Sequence, residues 1–508
     1  MSRKAASLPD TTLDPTDWSA LRRSSHALLD AAIDKLENAT QGRVWTPPTD
    51  AIRSLAKDDT PPEAPLPIDD VRTRLQSLLP YGVGNTHPRF FGWVHGSGTA
   101  EGLLPEIAAA AMNSNCGGRD HAAIHIEEQV LAWSRSIMGF PADSSGLLVS
   151  GTSMATIVAL KAARDAHCGF TTRKAGVAAQ PKPFVGYCAA GAHSCIKRAF
   201  DVLGLGSDQL RAVPTTSAFQ LDVDALRSAI KADRDAGNVE PFLIVGTAGS
   251  VNVGSVDDLA ALADVAATEG LWLHIDGAFG AAAMLSDTLR PLFNGLSRAH
   301  SLAFDFHKWF HVQYDCGCVL VRDQGAHLKS FSERPDYLAA KESGIAAGFP
   351  WPTDLGPELS RGFRALKVWS HFQAHGTARL GAAIARNVEH AKFLAEKVDE
   401  AADLERLAPV TLQIVTFRYV PPGHAAGDAV DLDALNDAIA VDLQVSGVAV
   451  PSTTKIHGQL ALRVNITNHR TCFDDLTLLV EEVLKAGARL AKAHGASKHA
   501  NGKRKERD

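Results

Sequence analysis

The 508-residue chain carries 51 Lys and Arg against 57 Asp and Glu, a formal net charge of -6, with 45% hydrophobic and 21% charged residues. That balance fits an ordinary soluble protein and argues against a nucleic-acid binder, while the length calls for two or three structural units. The seven cysteines are odd in number and never spaced C-x-x-C, so neither a disulfide framework nor a zinc ribbon is expected and buried free thiols are.

The first residues, "MSRKAASLPDTTLDPTDW", lack an apolar signal-like core, and no segment reaches the ~18 uninterrupted apolar residues of a membrane span. A cytoplasmic location without membrane contact is the expectation. Residues 16–38 place apolar groups at helical spacing behind a Thr16/Asp17 cap, and the Pro-rich stretches "TPPTD" and "DDTPPEAPLPIDD" follow. Residues 1–80 therefore read as a helical arm and linker. From about residue 146 the pattern changes to short apolar runs, "GLLVSG", "PFVGYCAAG", "PFLIVGTAG", "LWLHIDGA", "SLAFDF" and "CGCVLVRD", each ending in small or polar residues.

Strands alternating with amphipathic segments predict an α/β unit over 81–376 with a mainly parallel sheet. Ligands of such sheets collect beyond the carboxyl ends of the strands. Gly151-Thr152-Ser153, His193, Thr247, Asp276-Gly277-Ala278 and His307-Lys308 all stand at such ends. Helices are expected at 358–376 and 377–400. Further strand and helix patterns make 377–492 a smaller α+β C-terminal domain. The basic stretch "KHANGKRKERD" lies in a tail, 493–508, expected to be solvated and disordered.

Two decoys fail on order and spacing. "GTSMAT" makes Ser153 a conceivable hydrolase nucleophile with His95 and Asp276, but the order His, Ser, Asp matches neither common triad order. His121/His125 and His307/His311 stand four apart, which on a helix would share a face, yet neither pair has the glutamate of H-E-x-x-H. No metal is expected.

The stretch "SLAFDFHKWFHVQYDCGC" at 301–318 puts a lysine where an apolar run ends. Such a lysine either snorkels to the surface or is an amine kept for chemistry. An amine there suits pyridoxal phosphate, whose aldehyde condenses with lysine and whose ring is an electron sink. The pyridine nitrogen then needs a carboxylate, for which Asp276 is placed. The phosphate needs backbone donors at a helix N-terminus, which Gly151, Thr152 and Ser153 supply. The flat ring needs a stacking partner and a floor, which His193 and Ala278 can give.

These residues resemble the pyridoxal-phosphate-dependent group II amino-acid decarboxylases of the aromatic-amino-acid and glutamate decarboxylase type over roughly residues 15–485. The likeness lies in "HKW" at 307–309, "HIDGAFG" at 274–280, "GTAGSVNVGSVDDL" at 246–259, "AHS" at 192–194, "HPRFFG" at 87–92 and "FRALKVW" at 363–369. It implies a transferase fold of type I and a homodimer with active sites at the interface. Lys308 is then the imine lysine, Asp276 the pyridine partner and His193 the stacking residue, with Ala278 opposite. Thr247 and Ser153 are polar contacts around cofactor and phosphate, and His307 lies near the phosphate and the substrate carboxylate. Asp305 stands where relatives often have asparagine and receives no role.

Pyridoxal phosphate serves several reactions, and the protein chooses among them by orientation. The resemblance implies a loop tyrosine as proton donor, and 29 residues beyond Lys308 stands Tyr337. Relatives that act as aldehyde synthases often have phenylalanine there, so decarboxylation of an L-amino acid to amine and carbon dioxide is expected. The alternatives are an aldehyde synthase or other lyase with the same cofactor, a non-catalytic homologue, or a serine hydrolase using Ser153. "HPRFFGWVHGSGTAEG" covers the side-chain pocket, where Trp93 and His95 are the substrate candidates and an aromatic substrate is plausible. Arg361 and Arg364 are expected to brace a helix.

Overall fold

The computed structural model describes residues 12–57, 59–333, 341–425 and 430–505. Among them twelve strands make two sheets. They are β1 (Phe90–Phe91), β2 (Ser145–Val149), β3 (Phe184–Ala189), β4 (Leu210–Val213), β5 (Glu240–Thr247) and β6 (Trp272–Asp276), then β7 (Ser301–Asp305), β8 (Gly317–Val321), β9 (Leu404–Arg406), β10 (Ile414–Tyr419), β11 (Val450–Ile456) and β12 (Gln459–Asn465).

The larger sheet has the order β2-β8-β7-β6-β5-β3-β4. β4, β3, β5, β6 and β7 run parallel, and β8 lies antiparallel between β7 and β2. Every residue of β5 after Glu240 is buried, as expected of a strand covered by helices on both faces. The helices Thr152–His167, Ser194–Val202 and Leu259–Glu269 supply part of that cover. Because β2 and β7 share a direction, the ends of β2, β3, β5, β6 and β7 gather their loops along one edge of the sheet.

The smaller sheet has the order β1-β11-β12-β10-β9 and packs on the helices Leu432–Ser446 and Phe473–Lys505. β1 joins it in parallel, Phe90 opposite Val450 and Phe91 opposite Pro451, although residues 90–91 lie within the stretch expected for the larger unit. The two units are thereby tied together directly beside residues 93–96.

Several local expectations are met by capping and helix chemistry. The first helix is Trp18–Glu37, with Asp17 accepting from Ser19 N and Ala20 N. The pair of helices expected at 358–400 is Arg364–Glu400 with a kink at Gly376, whose φ of 66° and ψ of 157° are non-helical. Two expectations change. Residues 306–310 form turns, so His307 and His311 share no helical face, and His121 caps the helix Ala122–Met138 without entering it. The C-terminal helix, Phe473–Lys505, runs on into the stretch expected as a tail.

Candidate active site

After β7 the chain turns back on itself. Val312 N–H donates to Phe306 O at 3.1 Å, and His307 N–H donates to Cys316 O at 3.2 Å. Phe306, Trp309 and Phe310 are driven into the core, each at most 1% exposed, and Trp309 Nε1 donates to Asn387 Oδ1 at 2.9 Å. Lys308 is the residue this turn leaves facing the strand ends. It does not snorkel: its Nζ stands 2.9 Å from Asp305 Oδ2. Burial works against the ammonium, but Asp305, then Asp276 and Tyr314, outweigh it and hold the Lys308 pKa above its ordinary value.

Asp276 ends β6, buried, with Oδ1 accepting from Ala278 N–H at 3.1 Å and Cys195 Sγ 3.8 Å from Oδ2. Burial pushes its carboxyl up, opposed by Lys308, the Ala278 N–H and His193. Thr247 lies beside Asp276 in the β5–β6 register, and its N–H donates to Asp257 Oδ2 at 2.7 Å. His193 caps the helix Ser194–Val202, its Nδ1 accepting from Cys195 N–H at 3.2 Å, which fixes the ring. Burial, and the nearby Lys308, keep that imidazole below its usual pKa against the pull of Asp276.

β2 leads through Ser150 and Gly151 into the helix Thr152–His167, which has no side-chain cap from its own N-cap residue. Thr152 N–H donates to Asp305 Oδ1 at 2.6 Å, and Thr152 Oγ1 is buried without a partner. His307 Nδ1 accepts from Cys316 N–H at 3.0 Å, which aims Nε2 the other way. A cavity of about 380 Å³ is lined by Gly151, Thr152, Ser153, His193, Ala278, His307 and Lys308, with Cys195, Asp305 and Tyr314 among their neighbours. Asp276 sits directly behind Ala278 and Cys195, and Thr247 one strand further, so neither lines the cavity itself.

Trp93 and His95 stand outside that lining but connect to it through rings. Phe90, Trp93 and His95 stack with centroids 5.5–6.2 Å apart, His95 meets the Tyr314 ring at 6.1 Å, and Tyr314 lies 4.3 Å from the His307 ring. The backbone of this segment is held from the smaller unit: Arg463 Nη1 donates to Trp93 O at 2.9 Å and Thr467 Oγ1 to His95 O at 2.9 Å. Trp93 takes φ of 49° and remains half exposed. Tyr314 and Cys195 were missed by sequence reasoning, since neither belongs to a periodic pattern, while Asp305 was noticed there without a role and is found here against Lys308 and the Thr152 N–H. Tyr337 lies outside the described residues. Arg361 and Arg364 brace their surroundings through Glu127 and through Glu358 and Asp315.

The residues present fit pyridoxal phosphate. A lysine, a fixed imidazole and a helix N-terminus with an unpartnered hydroxyl face one cavity of the right size for a small aromatic phosphate, and the buried Asp276 carboxylate stands behind its wall.

Comparison with known proteins points the same way. The pyridoxal-dependent decarboxylase conserved domain matches residues 48–420. The aromatic-L-amino-acid decarboxylase of Bacillus atrophaeus is 31% identical over 470 residues, covering 91% of this chain and 94% of that protein. The L-2,4-diaminobutyrate decarboxylase of Rhizobium meliloti (strain 1021) is 28% identical over 411 residues, covering 80% and 79%. The crystal structure of Oryza sativa TDC with PLP and tryptamine superposes with a TM-score of 0.84 at 26% identity, covering 94% of this chain and all of that one.

Proposed function

The chain belongs to the pyridoxal-dependent decarboxylase family, and from that premise we propose that its substrate is an L-amino acid with an aromatic side chain, turned over by a homodimer. The protein is a pyridoxal-phosphate-dependent carboxy-lyase that converts an amino acid to its amine and carbon dioxide. The bound cofactor supplies the electron sink that lets the bond to the departing carboxylate break.

Lys308 would hold the cofactor through its amine, Asp276 would pair with the pyridine nitrogen, and His193 and Ala278 would flank the ring. Gly151, Thr152 and Ser153 would hold the phosphate, with Thr247 a polar neighbour at the end of β5. His307 and His193 face the substrate side, where they can orient the carboxylate across the ring plane. The buried turn at 306–310 holds Lys308 at the cavity wall.

The observation that carries the aromatic reading is the run of rings Phe90, Trp93, His95 and Tyr314 ending on His307. A flat side chain gains stacking contacts along such a wall. His95, whose pKa burial lowers, can meet a ring hydroxyl as a neutral imidazole.

The homodimer is supported by exposed apolar side chains on three helices, among them Trp18, Leu75, Leu104 and Ile107. Exposed large apolar side chains in such number suit a partner surface. A cytoplasmic location completes the proposal. It is supported by seven unpaired cysteines, and among the described residues no helix is long and apolar enough to cross a membrane.

The test is amine and carbon dioxide release across a panel of L-amino acids by purified protein supplied with cofactor, with sedimentation for the dimer. Aromatic substrates should dominate. Preference for an aliphatic diamino acid would overturn the aromatic reading, and cofactor that borohydride still fixes covalently to the Lys308→Ala protein would overturn the role of the lysine.

A further inference from the structure

Among the described residues the Asp305 carboxylate is the acid in direct contact with Lys308, and neither the fold nor the reaction has yet given it a task. It is 2% exposed, and β7 delivers it to the point where the helix Thr152–His167 begins. Its Oδ1 accepts the Thr152 N–H at 2.6 Å, while its Oδ2 stands 2.9 Å from Lys308 Nζ and 3.8 Å from His307 Nε2. Room for it exists because residue 317 is glycine: a Cβ there would stand 2.8 Å from Oδ1 and 2.5 Å from the Gly151 Cα.

A carboxylate thus occupies a first-turn N–H group that a phosphate would use, and it pairs with the amine that must reach the cofactor. A phosphate monoester carries about -1.5 to -2 charges near neutral pH and seeks the same backbone donors. Two anions cannot share the Thr152 N–H, and in a buried cavity their repulsion is poorly screened. With the cofactor in place, Asp305 must give up the helix, and Lys308 must give up Asp305.

We propose that Asp305 is a built-in competitor for the cofactor's phosphate, closing the cradle in the free protein and lowering cofactor affinity so that loading is reversible. This rests on the cofactor reading of the same cavity. Asp305→Asn keeps the shape and the acceptor for Thr152 but removes the charge.

The experiment uses the full chain stripped of cofactor, titrated with pyridoxal phosphate and with pyridoxal, which lacks the phosphate, and followed by tryptophan fluorescence and visible absorption. The expected result is binding of pyridoxal phosphate about tenfold tighter in Asp305→Asn, with a clearly smaller gain for pyridoxal, which meets only the released Lys308. In a Lys308→Ala background, where the ion pair is absent, the gain for pyridoxal should vanish and that for pyridoxal phosphate should remain. Equal or weaker binding of pyridoxal phosphate by Asp305→Asn, or an equal gain for pyridoxal, overturns the proposal. A wild-type protein that binds neither compound overturns the cofactor reading as well.

Discussion

Arg361 grips Glu127 with both ends of its guanidinium, Nη1 to Oε2 at 3.0 Å and Nη2 to Oε1 at 2.5 Å, with the two side chains 1% and 3% exposed. The same guanidinium donates to Cys116 O at 2.7 Å and Leu148 O at 2.6 Å, so it fixes the end of β2 just before the phosphate cradle. At that burial it cannot reach a substrate. Removing one partner leaves the other charge buried and alone, which costs about 3–5 kcal/mol. Arg361→Met should lower stability by that amount in denaturant unfolding, and Arg361→Met with Glu127→Leu should recover part of it. Loss of activity at unchanged stability would contradict a bracing role.

Gly96 touches the reaction centre through its missing side chain. A Cβ there would meet the backbone oxygens of His307 and Lys308. Neither side can yield, because both are anchored to one network. Asn85 Nδ2 donates to Gly96 O at 2.6 Å, Asn468 Nδ2 to Asn85 O at 3.2 Å, Asn387 Nδ2 to Asn468 O at 3.1 Å, and Trp309 Nε1 to Asn387 Oδ1 at 2.9 Å. Gly96→Ala should displace Lys308 and lower kcat/KM on the order of a hundredfold, since small misplacements are that costly at a reacting centre. Circular dichroism should show the fold retained.

Tyr337 is proposed as the acid that protonates the reacting carbon after carbon dioxide leaves. With Tyr337→Phe the same carbon is left open to oxygen. The products should then shift from amine and carbon dioxide toward aldehyde, carbon dioxide, ammonia and hydrogen peroxide, at the expense of one oxygen and one water per turnover. Peroxide and amine assays on both proteins decide it: amine and carbon dioxide in equal amounts with no peroxide from the variant would remove Tyr337 from the mechanism.

What the sequence discloses and what it hides divide along contact range. Lys308, Asp276, His193 and the 151–153 cradle are legible because each follows an apolar run, and parallel strands bring such positions to one edge. Tyr314 is not, because its contacts depend on the reversal that bonds His307 to Cys316, a turn without periodic signature, and Asp305, visible at the end of its own apolar run, shows its partners only in the fold. The hold of Arg463 on Trp93 O, and the pairing of Phe90 with Val450, join segments far apart in the chain. Local propensity carries no record of such partners.

Acid should unfold this protein through a group of histidines behind the lysine turn. His311 and His469 meet with ring centroids 5.3 Å apart, and His371 and His375 with centroids 4.7 Å apart. Burial, together with neighbouring His375, lowers the His371 pKa to about 3, while burial, with Arg470, lowers that of His469 to about 4. Burial likewise holds His311 well below its ordinary value, with His469 adding to the effect. Their unfolded values lie near 6.5. Below that pH the unfolded chain takes up protons the native one refuses, so stability is fully present above about 6.5 and is lost as pH falls toward 4. Each histidine contributes a slope of about 1.4 kcal/mol per pH unit inside its window. Denaturant unfolding measured from pH 7 to pH 4 should show that decline, and His371→Leu should flatten it by one histidine's share. An unchanged slope in the variant would shift the acid sensitivity to other groups.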